Sequence, residues 1–106
     1  MKRVIATIRL ARTEEGGRSQ PIPVMTFGCP VFFEGVPALS AHGYDCRMLV
    51  TEVGNPISPG ATVSEIALLF LSTDEVLPHM KPGVTFTLWE GGTIGSGTVV
   101  RVEDES

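Results

Sequence analysis

"WEGGTIGSGTVVRV", residues 89–102, sets four glycines ahead of a valine-rich run, and its reading decides the fold. A phosphate cradle and a β-hairpin both use glycine clusters. A Walker loop ends in Lys followed by Ser or Thr and opens a helix whose N-terminal amides hold the phosphate. Here the glycines lead into Thr98-Val99-Val100, a strand signal, and no lysine stands nearby. The dinucleotide fingerprint fails for the same reason, because no helix follows. The stretch therefore reads as a tight turn with the strand it launches. Neither a nucleotide nor any other cofactor is expected.

Outward from that hairpin the dominant hydrophobic period is two. Val84, Phe86 and Leu88 alternate with Thr85, Thr87 and Trp89, so Phe86 and Trp89 face opposite ways. Val4, Ala6, Ile8 and Leu10 alternate with Thr7 and Arg9 in the same manner. "CRMLVTEV" (46–53) and "EIALLFLS" (65–72) are more continuously apolar and read as buried strands. Turn signals separate them: "EEGGRSQP", "GNPISPG", "HMKPG" and "EGGTIGSG", from a total of 12 Gly and 8 Pro. Ser72 and Glu75 have capping-box spacing for a helix that Pro78 limits to about one turn. The expected fold is all-β: an antiparallel Greek-key β-barrel of six or more strands with at most one or two short helical turns.

Size and composition agree with one domain over residues 1–106. Apolar residues make up 42% and charged residues 19%, a globular balance. The net charge of −4 lacks the basic excess of a nucleic-acid binder. No apolar run is long enough to span a bilayer, so no membrane partner is expected. Cys29 and Cys46 are unpatterned, which predicts reduced thiols and a cytoplasmic protein.

The two glycine turns carry a resemblance. "EEGGRSQPI" (14–22), "FGCPVFF" (27–33), "SPGATV" (58–63) and "FTLWEGGTIGSGTVVRV" (86–102) follow one another along nearly the whole chain. In order and approximate spacing they resemble the C-terminal β-barrel domain of the elongation factor Tu family, here without the GTPase domain. The resemblance implies a translation-related binding module with no GTPase activity. In that family this barrel contacts tRNA, the GTPase domain and the nucleotide-exchange factor. Arg18 matches the arginine that helps hold the tRNA backbone, and Gly91 and Gly92 match the glycines that meet RNA. Gly16, Gly17 and Trp89 are further interface candidates.

Other positions depart from the family pattern. Cys29 and Thr93 stand where cations are found, Ala61 replaces an aspartate, and residues 36–45 follow a different course. Phosphate binding depends on cations, so the chain is expected to bind tRNA weakly or not at all, and a protein partner is expected instead. A basic patch of Arg9, Arg12, Arg18 and Arg47 would favour RNA. The competing class is a small β-barrel enzyme or metal protein using Cys29 with His42 or His79. No Cys-x-x-Cys partner supports a metal site, and no nucleophile motif supports catalysis, so neither a metal nor an enzyme is expected. Asp74 and Glu75 read as dipole partners of a helix start, and Glu103-Asp104-Glu105 as a solvated tail.

Overall fold

A computed structural model of the chain describes residues 2–104. Six strands form one closed barrel: β1 (Lys2–Leu10), β2 (Thr26–Glu34), β3 (Tyr44–Leu49), β4 (Thr62–Phe70), β5 (Thr85–Trp89) and β6 (Thr93–Asp104). Around the wall they run β1-β4-β3-β2-β5-β6, and β6 pairs with β1 to close it, every pair antiparallel. β2, β3 and β4 follow one another as a meander while β1 crosses over to lie beside β4, which is the Greek-key connection. Closure leaves no unpaired edge.

The period-two pattern sorts the side chains as the sequence predicts. Val4, Ala6, Ile8 and Leu10 of β1 and Phe86 and Leu88 of β5 point into the barrel and are buried. Phe33 anchors the interior, its ring 5.6 Å from that of Phe70, 5.8 Å from Phe86 and 6.1 Å from Tyr44. One end of the barrel is plugged by Leu39, Val76 and Met80, the other by Ile22 and Ile57, which pair as an isolated bridge. The continuously apolar reading of 65–72 has a cause: Ala67, on the outer face of β4, packs with Ile5 and Leu49 in a second cluster.

Several local expectations need correction. "CRMLVTEV" is a strand only to Leu49; Val50–Val53 form a helical turn, α1, ended by Gly54 at φ 83°. Helical turns are more numerous than expected: besides α1 there is α2 (Thr73–Val76), and 3-10 turns occur at Thr13–Glu15, Pro37–Leu39 and Leu77–His79. Each spans a connection around the barrel ends, where local hydrogen bonds satisfy backbone groups that have left the sheet. The capping box at Ser72 is not made; Glu75 instead accepts a hydrogen bond from the Tyr44 hydroxyl at 3.3 Å. Glu103 and Asp104 are not tail but strand, paired in register with Arg3 and Lys2, while Glu105 lies outside the described residues.

Two of the opening glycines are required for different reasons. Gly91 lies in the β5–β6 turn at φ 68°, where a side chain would be strained. Gly97 lies within β6, between Ile8 of β1 and Phe86 of β5 in register. A Cβ there would lie 2.6 Å from Phe86 Cε2 and 2.7 Å from Ile8 Cδ1. The buried Phe86 ring occupies the space that a side chain would take.

Candidate functional site

Antiparallel pairing places the first Glu-Gly-Gly-Arg turn, after β1, and the second Glu-Gly-Gly turn, between β5 and β6, at the same end of the barrel. Gly16, at φ 92°, reverses the chain after the first 3-10 turn, and the Gly17 N–H donates to Arg12 O at 3.1 Å. That reversal aims Arg18 at the second turn, where its Nη1 meets Glu90 Oε1 at 2.6 Å. The guanidinium also donates through Nε to Gln20 O at 3.1 Å and lies 5.3 Å from the centre of the Phe27 ring. The Arg18 side chain is only 19% exposed. Its charge is thus already matched by a carboxylate and backed by an aromatic face.

The second turn is held by the Glu90 N–H donating to Gly92 O at 2.8 Å. Gly92 has no positive φ, and nothing lies within 4 Å of where its Cβ would be. Beside this turn, Trp89 ends β5 on its outer face, next to a register shift between Leu88 and Trp89. Trp89 is 42% exposed and Phe32, on the outer face of β2, is 40% exposed. The two rings meet edge to face, 6.5 Å apart at 70°. Phe32 also lies across Gly43, in the space that a side chain there would take. Val24 and Met25, also exposed, lead into β2 at the Arg18 end. Arg18, Ser19, Gln20 and Glu90 line a shallow depression of about 260 Å³ between the turns.

Of the four arginines of the expected basic patch, Arg12 is exposed and the other three have partners, Arg18 through Glu90. Arg9 pairs with Glu15 at 3.2 Å, and Arg47 lies over Gly28 and donates to Cys46 O at 3.2 Å. The Glu15 carboxyl is held below its ordinary range by the Arg12 backbone N–H and then by Arg9. On the far wall, Arg101 bridges Glu65 and Glu103, each at 2.8 Å, and holds the Glu65 carboxyl low.

A comparison with protein-family models finds no match, and neither does one with curated proteins.

The cysteine and histidine candidates are dispersed differently from the enzyme reading. His42 is exposed, its ring centred 4.4 Å from that of Tyr44 and tilted 40° to it, and His79 lies in the 3-10 turn after α2. Cys29 points into the barrel and faces Cys46, its partner in the β2–β3 register. Contact with the Cys46 thiol holds Cys29 below its ordinary range, and the same contact, with burial, pushes Cys46 far up. Among the described residues, no three His, Cys, Asp or Glu are grouped to hold a metal ion. No described helix is long and apolar enough to cross a membrane.

Three features of this region escape sequence reasoning. Glu90 as the partner of Arg18 depends on the two turns meeting, and the Cys29–Cys46 pairing depends on register. Phe32 carried a signal: if Phe27, Cys29, Val31 and Phe33 face inward, the intervening Phe32 must face out.

Proposed function

We propose that this barrel is a binding module whose working surface is the end carrying the two Glu-Gly-Gly turns with the adjoining Phe32–Trp89 pair. Its partner is a protein, in a translation-related setting, as the resemblance to the elongation factor Tu barrel suggests. The observation that carries this reading is the state of Arg18. A phosphate-binding arginine must present its guanidinium to the ligand, whereas Arg18 is paired with Glu90 at 2.6 Å and mostly covered. Next to it stand an exposed tryptophan and phenylalanine in edge-to-face contact, and aromatic anchors dominate protein interfaces. The net charge of −4 adds long-range repulsion towards a polyanion. In this reading the surface binds its partner and catalyses no reaction on it.

Titration of the protein with tRNA at about 0.15 M salt, near physiological ionic strength, tests the choice of partner. Weak or absent binding is expected. Micromolar or tighter binding that Arg18→Ala abolishes would overturn the protein reading and restore an RNA role.

A further inference from the structure

We infer that Cys29 and Cys46 form a built-in oxidation site, in which a small hydroperoxide converts the two thiols to an intramolecular disulfide joining β2 to β3. The inference is independent of the binding surface and rests on register. Cys29 and Cys46 are direct partners across the antiparallel β2–β3 pair, and both side chains point into the barrel, with exposures of 4% and 0%. The Leu71 N–H donates to Asp45 O, so the backbone of Asp45 faces β4 and that of the next residue, Cys46, faces β2. Pro30, which has no N–H, lies opposite Asp45, where none is required for pairing. Cys29 and Cys46 therefore form the hydrogen-bonded type of antiparallel pair, with a Cα separation of about 5.5 Å. That lies within the range of about 4.4–6.8 Å that a disulfide spans. A disulfide also needs its Cβ atoms about 3.5–4.5 Å apart, closer than the roughly 5.5 Å of a hydrogen-bonded pair, so β2 and β3 draw together slightly as the bond forms.

The two thiols also have unequal roles. Cys29 is the more accessible of the two, 4% exposed against 0%, and contact between the thiols draws Cys29 below the ordinary thiol range while it and burial push Cys46 up. The Cys29 sulfur attacks the terminal oxygen of the hydroperoxide and the O–O bond breaks. The departing oxygen takes a proton and leaves as alcohol, or as water from hydrogen peroxide. Cys29 is then a sulfenic acid. The Cys46 sulfur attacks the Cys29 sulfur, the S–O bond breaks, and the hydroxyl leaves with the Cys46 proton as water. Two thiols lose two electrons and two protons, and one peroxide bond is reduced. The oxidant must be small and uncharged, because 4% exposure of Cys29 admits nothing larger.

The test exposes the full chain to hydrogen peroxide, then denatures it with an alkylating agent and reads the intact mass. Loss of two hydrogens in the monomer, no alkylation, and return of two alkylatable thiols after dithiothreitol are the expected result. Two alkylated thiols after peroxide, irreversible oxygen addition, or disulfide-linked dimers alone would overturn the inference. In Cys46→Ala, Cys29 should accumulate as a sulfenic acid trapped by dimedone, whereas Cys29→Ala should yield little adduct at Cys46. Equal trapping in both variants would overturn the assigned roles. Because the wild-type readout stands alone, a variant that fails to fold leaves the test intact.

Discussion

Replacing Gly97 by alanine adds one methyl group where three strands of the barrel meet. The new Cβ would lie 2.6 Å from Phe86 Cε2 and 2.7 Å from Ile8 Cδ1. Phe86 and Ile8 are both 0% exposed, so neither can swing into solvent to make room. Gly97 is also in register with both neighbouring strands, which prevents the backbone from drifting outward. Overpacking at such a site costs about 3 kcal/mol, the upper part of the usual range. Reduced freedom of the unfolded chain offsets roughly 0.4–1 kcal/mol of that. The net loss of about 2 kcal/mol lowers the melting temperature by roughly 8–16 °C for a chain of this size. Gly91→Ala meets no steric neighbour but must hold φ 68°. It should lose about 1 kcal/mol, the cost of a left-handed alanine. Gly92→Ala has neither constraint and should melt at the wild-type temperature or slightly above. Thermal melts by circular dichroism, checked by urea titration, give the order. A Gly97→Ala protein melting within about 2 °C of wild type would refute the claim that this glycine makes room for Phe86.

Arg18→Ala removes the Glu90 ion pair and the stacking on Phe27, and should lower stability by about 1–2 kcal/mol; an unchanged melting temperature would show that the contact does not join the two turns in solution. Glu15 and Glu65 have carboxyls held low in the folded state, so their contribution is present above the unfolded value near pH 4.3 and is lost as the pH falls through their folded values. Melting temperature should therefore fall on acidification below about pH 4.3, and less steeply in Glu15→Gln with Glu65→Gln; identical slopes for the variant and wild type would contradict this. Trp89→Ala should leave the melting temperature nearly unchanged, since its side chain lies outside the core; a large drop would make it a structural residue rather than a surface one.

The barrel was legible because a closed sheet imposes period two on its strands and concentrates glycine and proline between them. Residues 84–89 illustrate this: alternation alone separated buried Phe86 from exposed Trp89. The end of β3 was less legible, because Leu49 and Val50 are both buried, one in the outer cluster and one in the barrel core. Apolarity continues there while the backbone changes from strand to helical turn. The site was legible only in parts. Arg18, Gly91 and Trp89 could each be picked out along the chain, but their juxtaposition arises from strand pairing between residues far apart in sequence. The Cys29–Cys46 pairing needed the register of a hairpin whose connection, residues 35–43, fixes no tight turn geometry.

The most direct test of the proposed function is retention of a partner from native cell lysate by the tagged protein, after nuclease treatment. Wild type and a Phe32→Ser/Trp89→Ser double variant with an unchanged melting temperature would be compared. The account predicts a protein retained by wild type in the absence of RNA and lost from the variant. Retention that disappears with nuclease, or that is equal in the two proteins, would contradict it.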